Sequence, residues 1–161
     1  MAFTFAFGDR KDIDEGNRLL ADCQLPAEGA AEQIEHFVIA RCGDLLAGTI
    51  ALEPAGPAAL LRSLAVAPQY RGQGLATALY DRIVAYAQTR GIETLYLLTL
   101  TARDFFMHRG FAIADRSSAP DQIAATPRWR ALPHHRYDAG GRPAAASKRC
   151  SSPVLVLFDH A

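Results

Sequence analysis

Residues 61–76 join an apolar strand to a helix through a turn rich in arginine and glycine. The apolar run ends at Pro68, and the turn around Gly72 and Gly74 leads into a segment with helical spacing of apolar residues over 75–90. A glycine turn before a helix binds anions, because its backbone N–H groups converge without obstructing side chains and the helix dipole favours negative charge. The segment therefore predicts a site for a phosphate-bearing ligand.

Two common nucleotide-binding motifs do not fit this turn. A P-loop requires a lysine directly after its second glycine, and none follows here. A dinucleotide fingerprint requires a glycine three residues after Gly74, where Thr77 stands, and its acidic residue has only Glu93 as a candidate, before the next strand. The pattern that remains is Arg71-x-x-Gly74-x-Ala76.

A second motif follows further along the chain. Residues 95–101 are predicted to be a buried strand, and residues 105–111 (FFMHRGF) place an aromatic pair on a short helix that ends in a glycine turn. Together with Arg71-x-x-Gly74-x-Ala76, this order resembles the two hallmarks of the GCN5-related N-acetyltransferase (GNAT) superfamily. In that superfamily the first hallmark wraps the pyrophosphate of acyl-coenzyme A.

Further segments resemble one group within the superfamily. Residues 61–66 and 96–102 are similar to the arsenic-resistance N-acetyltransferases, and residues 120–126 and 150–156 fit the same pattern. That group is itself similar to the acetyltransferase domain of N-acetylglutamate synthase. The resemblance implies that the substrates are small and amino-acid-like rather than protein tails.

The resemblance also implies the fold, and it covers roughly residues 1–129 and 150–158. An α/β chain of the GNAT fold has a single mixed, mostly antiparallel central sheet with helices on both faces. We expect this chain to form one such N-acetyltransferase domain over residues 1–161.

Residues 133–149 are polar and non-periodic, which predicts an inserted surface loop, with a substrate lid or a dimer contact as alternatives. Periodicity predicts strands at 3–7, 36–41, 45–52, 59–67, 94–100 and 111–115, and helices at 10–23, 28–33, 75–90 and 102–109.

Composition narrows the classes of partner. The chain has 161 residues, and its 17 basic side chains balance its 17 acidic ones, so it lacks the charge pattern of a protein that binds nucleic acid or anionic membranes. It has no apolar run of membrane-spanning length and no secretory signal, so we expect it in the cytoplasm. Cys23, Cys42 and Cys150 are too far apart for a disulfide framework or a metal knuckle, and no metal site is predicted.

Acetyl-CoA is the co-substrate that the resemblance implies. The strand residues before the turn should contact the pantetheine, the turn should wrap the pyrophosphate, and the aromatic pair should lie near the same ligand. The cofactor-binding residues expected on this basis are Leu64, Ala65, Val66, Arg71, Gly72, Gln73, Gly74, Leu75, Ala76, Thr77, Phe105 and Phe106.

Two residues are expected to take part in the chemistry. By resemblance, the backbone N–H of Val66 polarises the acetyl carbonyl, and a backbone donor works whatever its side chain. Many members use a tyrosine, second in the aromatic pair, to protonate the departing thiolate, but here that position is Phe106. Coenzyme A then leaves as the thiolate, or a hydroxyl such as that of Thr101 or a water supplies the proton.

Arg62 is an unusual charge inside an apolar strand. A buried arginine needs a partner, and either a substrate carboxylate or a structural ion pair would supply one. If Arg62 instead lay on an exposed face of the sheet, water would solvate it and it would need no partner. Residues expected to bind the substrate are Arg62, Ser63, Thr99, Arg149 and Ser151.

The sequence therefore predicts an acetyl-CoA-dependent N-acetyltransferase that acts on a small amino-acid-like amine by direct transfer. An arsenical and a glutamate-like compound are the named candidates. One alternative is an acyl-CoA-binding sensor or partner module without turnover, which the phenylalanine at position 106 favours. Another is a protein N-acetyltransferase. The expected partner is a small-molecule amine, with a homodimer left open and neither nucleic acid nor membrane expected.

Overall fold

A computed structural model of the chain describes residues 2–99, 102–113, 119–131, 145–148 and 154–158. The strands are β1 (Thr4–Phe7), β2 (Phe37–Cys42), β3 (Leu45–Ala55), β4 (Ala58–Val66), β5 (Thr94–Thr99), β6 (Ala112–Ile113), β7 (Ala145–Lys148) and β8 (Val154–Phe158). The α-helices are α1 (Ile13–Asp22), α2 (Leu75–Thr89), α3 (Arg103–Met107), α4 (Asp121–Ala124) and α5 (Pro127–Ala131).

The hydrogen-bonded strands follow the order β1-β2-β3-β4-β5-β8-β6-β7. β1 and β2 pair antiparallel, as do β2 and β3, whereas β4 and β5 are parallel and so are β5 and β8. Parallel neighbours need a crossover connection, and α2 lies in the connection between β4 and β5. The sheet is therefore mixed, which confirms the predicted α/β fold.

The chain divides into two compact units, and β4 contributes residues to both. The first unit comprises Met1–Glu53 and Arg62–Ala87. Side chains from α1, β3 and α2 have no exposed surface in its core, among them Leu20, Ile50 and Leu79. Burial of large aliphatic side chains away from water is the main force that holds such a unit together.

The apolar spacing of α2 explains how this helix packs. Its buried residues are Leu75, Leu79, Ile83 and Ala87. A period of four keeps them on one stripe of the helix, which faces the core. The helix was predicted over residues 75–90 and ends at Thr89. Tyr86 lies three residues after Ile83 at helical spacing, but it is only half-buried, and its hydroxyl lies 2.8 Å from Nδ1 of His36.

The first helical segment differs in detail from its prediction over residues 10–23. A short 3₁₀ turn at Arg10–Asp12 precedes α1, and a reciprocal capping box between Asp9 and Asp12 closes its N-terminus. Asp9 Oδ1 accepts a hydrogen bond from the Arg10 N–H at 2.6 Å, and Asp12 Oδ2 accepts one from the Asp9 N–H at 2.8 Å. The helix predicted at 28–33 is a 3₁₀ helix at Ala31–His36.

The second unit comprises Pro54–Leu61 and Gln88–Ala161. Ala58, Leu60, Ile123 and Trp129 form its buried cluster. The prediction of a loop over residues 133–149 is wrong at its C-terminal end, because β7 lies there and pairs antiparallel with β8. The segment has no alternating pattern of its own, so its backbone pairing rather than its side chains defines the strand.

Two smaller differences complete the comparison with the predicted elements. β6 is shorter than the strand predicted at 111–115, of which residues 114 and 115 lie outside the described part of the chain. Residue 100, the last of the strand predicted at 94–100, also lies outside it. No helix among the described residues is both long enough and apolar enough to cross a lipid bilayer.

Candidate active site

β4 changes direction part-way along its length. Its parallel pairing with β5 runs from Ala58, opposite Thr94, to Leu61, opposite Leu97. Two residues later Ser63 has a φ of +59°, which is the left-handed region. A regular strand does not contain this conformation. The backbone therefore changes direction at Ser63, and this changes the direction of the N–H and C=O groups of residues 64–66.

The backbone carbonyl of Val66 is held by two side chains. Arg71 Nε donates a hydrogen bond to it at 3.0 Å, and Cys23 Sγ donates one at 3.7 Å. Arg71 Nη2 also lies 3.6 Å from Cys23 Sγ. Cys23 directly follows α1, so these contacts connect that helix to the end of β4. They restrain the backbone at Val66.

The chain leaves β4 through a 3₁₀ helix at Pro68–Tyr70. Tyr70 is buried, and its ring forms an edge-to-face pair with the Phe3 ring, with 5.7 Å between centroids. The Tyr70 N–H donates to the Ala67 carbonyl at 2.9 Å. These contacts anchor the start of the glycine turn in the first unit.

Residues 71–77 form what we call the glycine cradle. Residues 71–74 are exposed, and Gly72 and Gly74 have φ values of +75° and +77°. Beyond the glycine itself and its two chain neighbours, no described atom lies within 4 Å of the point where a Cβ would stand on either residue. The cradle therefore presents bare backbone to solvent, in a conformation that residues other than glycine rarely adopt.

α2 begins at the end of the glycine cradle. The Ala78 N–H donates to the Gly74 carbonyl at 3.1 Å, and the side chain of Leu75 is buried. Helix geometry directs the first-turn N–H groups out of the helix end, where the positive end of the helix dipole lies. The cradle thus has the geometry and electrostatics of an anion site.

Arg62 is buried and has partners inside the protein. Its Nη1 lies 3.4 Å from Glu53 Oε2, its Nη2 donates to the Glu28 carbonyl at 2.7 Å, and its Nε donates to Ser63 Oγ at 3.2 Å. Burial lowers the pKa of Arg62, and the nearby Glu53 carboxylate partly opposes that shift. The arrangement is that of a structural ion pair, one of the alternatives that the sequence left open.

The aromatic pair packs within the second unit. Phe106 is buried, and its ring centroid lies 5.0 Å from those of Phe105 and Phe111. Arg109 stacks its guanidinium over the Phe105 ring at 3.6 Å. These contacts show the pair as part of a packed aromatic cluster, and its predicted contact with a cofactor stays a prediction.

With this geometry in place, comparison with known proteins identifies the family. Residues 5–111 match the model of the Acetyltransferase (GNAT) family. The chain belongs to the GNAT family. The glycine cradle and the Ser63 bend both lie within the matched region.

The curated GNAT relatives are longer proteins. The amino-acid acetyltransferase of Pseudomonas putida is 35% identical over 82 residues, which cover 50% of this chain and 19% of that protein. The amino-acid acetyltransferase of Photorhabdus laumondii is 32% identical over 97 residues, covering 59% and 22%. The chain therefore spans about a fifth of the length of these relatives.

Solved structures agree on the GNAT fold. N-acetylglutamate synthase from Neisseria gonorrhoeae, complexed with coenzyme A and N-acetyl-glutamate, matches with a TM-score of 0.71 and 22% identity over 81% of this chain and 33% of that one. The ribosomal-protein-S18-alanine N-acetyltransferase from Escherichia coli matches with a TM-score of 0.61 and 22% identity, over 74% and 84%.

The GNAT site residues predicted from the sequence fall into three groups. The first unit contains the residues of the glycine cradle, the end of β4 and Arg62. The second unit contains the aromatic pair and Thr99, whose backbone at the end of β5 pairs with Phe158. Thr101, Arg149 and Ser151 lie outside the described residues.

The sequence reasoning missed four residues around the GNAT site. Thr49, Glu53 and Cys23 contact Ser63, Arg62 and Val66 respectively, and Tyr70 anchors the cradle. Thr49 and Glu53 could have been noticed as polar residues within the otherwise apolar strand β3. No group of three or more His, Cys, Asp or Glu side chains in the described ranges is placed to hold a metal ion.

Proposed function

We propose that this chain transfers an acetyl group from acetyl-CoA to the amino group of a small amino-acid-like compound. The observation on which the proposal rests is the exposed glycine cradle between a bent strand and the N-terminus of α2. Membership of the GNAT family supports the acetyl group as the group transferred.

The glycine cradle is suited to the diphosphate of coenzyme A. Backbone N–H groups around Gly72 and Gly74 can approach phosphate oxygens closely, because neither residue has a side chain. The helix dipole of α2 and the Arg71 guanidinium add positive charge at the same place. Because the protein has no net charge, the attraction for phosphate comes from the cradle itself and not from the charge of the whole protein.

The end of β4 is suited to the acyl part of the co-substrate. Leu64 and Val66 lie on the same side of the strand, so their backbone groups can pair with the amides of an extended pantetheine chain. The Val66 N–H is then the donor for the oxygen of the acetyl carbonyl, where negative charge develops as the amine attacks. The Val66 carbonyl contacts with Arg71 and Cys23 help to keep that donor in place.

Release of coenzyme A does not require an acid from the aromatic pair. Phe106 has no proton to donate, and a thiolate with a pKa near that of cysteine is a good leaving group. The acceptor amine has to be neutral in order to attack, so turnover should rise with pH until its ammonium form is lost. Thr101 remains the candidate hydroxyl for proton transfer.

The acceptor is proposed from the relatives. The Pseudomonas putida relative is called an amino-acid acetyltransferase, and the gonococcal structure holds N-acetyl-glutamate. These names favour an α-amino acid as acceptor, with glutamate-like compounds first and arsenical amino acids second. A location in the cytoplasm and a homodimer belong to the same proposal.

The first prediction concerns turnover. We expect coenzyme A thiol to be released from acetyl-CoA when the protein is mixed with a panel of amino acids that includes glutamate-like and arsenical members. A thiol-reactive dye measures the release, and a lysine-rich peptide tests the protein-acetyltransferase alternative. Calorimetric binding of coenzyme A, without release of its thiol from acetyl-CoA in the presence of any acceptor, would instead support the sensor alternative.

The second prediction concerns Arg71. Replacing Arg71 with alanine should weaken coenzyme A binding about three- to tenfold, as expected for one exposed charge-assisted contact of about 1 kcal/mol. Titration calorimetry at low and high salt measures the change. The control is Arg130→Ala, which removes the same charge from an exposed site in α5. Equal losses from both variants would assign the effect to net charge.

A further inference from the structure

Ser63 needs outside support for its backbone conformation. A φ of +59° is disfavoured for any residue with a Cβ, and it occurs here inside a strand. Thr49 of β3 donates a hydrogen bond from Oγ1 to the Ser63 carbonyl at 2.8 Å. Arg62 donates from Nε to the Ser63 hydroxyl at 3.2 Å. The two contacts hold the residue from both its backbone and its side chain.

The end of β4 and the residue after it pack against the same part of β3. The Ala67 N–H donates to the Ala47 carbonyl at 2.8 Å. A Cβ placed on Gly48 would lie 2.9 Å from the Ala65 carbonyl oxygen and 2.9 Å from Leu79 Cδ1, so the backbone of β4 and helix α2 both pack directly against this glycine. Residues 47–49 of β3 therefore lie along the backbone from Ser63 in β4 to Ala67, the residue just after the strand.

The chemistry of Thr49 indicates a role beyond packing. Thr49 is fully buried, and its neighbours along β3 are Gly48 and Ile50. Valine has nearly the same shape and carries no hydroxyl that has to be satisfied, so a position that served packing alone would suit valine at least as well. The hydrogen bond to the Ser63 carbonyl explains why a residue with a hydroxyl stands at this position.

We propose that Thr49 is a positioning residue for acetyl transfer. By holding the Ser63 carbonyl it fixes the left-handed turn of the backbone, and that turn sets the direction of the Val66 N–H three residues later. This inference rests on the proposed function, in which that N–H donates to the acetyl oxygen. Small errors in the placement of such a donor reduce the rate of reaction strongly.

The test compares two substitutions at one position. Thr49→Val removes the hydroxyl and keeps the shape, whereas Thr49→Ser keeps the hydroxyl and removes the methyl group. We expect Thr49→Val to lower kcat about tenfold to a hundredfold with little change in the Kd for coenzyme A. Thr49→Ser should keep kcat within about threefold of the unchanged protein, because its hydrogen bond to Ser63 is retained.

A second readout does not depend on turnover. In isotope-labelled protein, the amide proton of Val66 should shift downfield when acetyl-CoA binds, and this shift should be lost in Thr49→Val but kept in Thr49→Ser. Equal kcat values and equal amide shifts in the two variants would overturn the role of Thr49. If the unchanged protein binds acetyl-CoA but turns over no amine, the proposed function fails, and the amide shift still tests the positioning role.

A second pair of variants tests the proposal if Thr49→Val does not fold. Glycine adopts the left-handed conformation without strain, so Ser63→Gly should allow the doubly substituted chain, Ser63→Gly with Thr49→Val, to fold. Glycine permits this conformation but does not select it, so we expect kcat of the double variant to stay about tenfold below that of Ser63→Gly alone. Equal kcat values for these two proteins would contradict the inference.

Discussion

Replacing Gly74 with alanine is expected to weaken acetyl-CoA binding by about tenfold to a hundredfold. The loss of affinity comes from the new side chain and not from backbone strain, because a φ of +77° costs a residue with a Cβ about 1–2 kcal/mol of folding stability whether or not ligand is bound. The new methyl group would stand in the open space of the glycine cradle, where the phosphates are proposed to bind. Gly72→Ala, at a φ of +75°, should behave in the same way. Titration calorimetry with acetyl-CoA measures both effects.

Gly91 offers a matched control for the same substitution. It has a φ of +70° and lies just beyond the C-terminal end of α2. Apart from its own atoms and its two chain neighbours, no described atom lies within 4 Å of where its Cβ would stand. Gly91→Ala should therefore lose about 1–2 kcal/mol of folding stability, as Gly74→Ala does, while its affinity for acetyl-CoA is unchanged. Comparable losses of affinity in both variants would rule out the cradle as the diphosphate site.

Replacing Glu53 with glutamine is expected to reduce the free energy of unfolding by about 3–5 kcal/mol. The side chains of Glu53 and Arg62 are 7% and 2% exposed, so the change leaves a buried guanidinium without its charged partner. Chemical denaturation measures the loss. Removing both charges, with Glu53→Leu and Arg62→Met, should cost less than the sum of the two single changes, because no unpaired charge is left.

Glu15 is the control for this ion pair. It pairs with Arg41 at 2.7 Å, but its side chain is 38% exposed, so solvent screens the interaction. Glu15→Gln should therefore cost no more than about 0.5 kcal/mol. A similarly small loss for Glu53→Gln would show that the buried pair with Arg62 is not a major source of stability.

The same variants separate the two roles considered for Arg62. If Arg62 is only structural, Glu53→Gln and Arg62→Met should impair folding and leave the KM for the acceptor unchanged in the protein that remains folded. If Arg62 binds a substrate carboxylate, Arg62→Met should raise that KM more than Glu53→Gln does, because only the first removes the cation. Steady-state kinetics on the folded fraction decides between them.

The local elements around the candidate site could be predicted from the sequence. The helix predicted at 75–90 is α2, and the glycine turn predicted before it is present, with a positive φ at both glycines. Local signals were sufficient because apolar spacing and the absence of a Cβ act within a few residues of the chain. The strand at β7 had no such signal, since its small and polar residues become a strand through pairing with β8.

The partners of the charged and polar residues could not be predicted in this way. Cys23 and Val66 are 43 residues apart in the chain, and Arg62 and Glu28 are 34 apart. Such contacts depend on which segments lie beside each other in the fold. The spacing of residues within one segment does not indicate its neighbours. The conformation of Ser63 was missed for the same reason, because serine has no preference for a left-handed φ.

The amino-acid sequence by itself determined the order of strand, glycine turn and helix on which the proposed anion site depends, because this order arises from neighbouring residues. Only the tertiary structure decided that Arg62 faces Glu53 and that Thr49 supports Ser63. The physical reason is that a buried polar group must find its partner inside the fold, and packing of distant segments selects which one it meets.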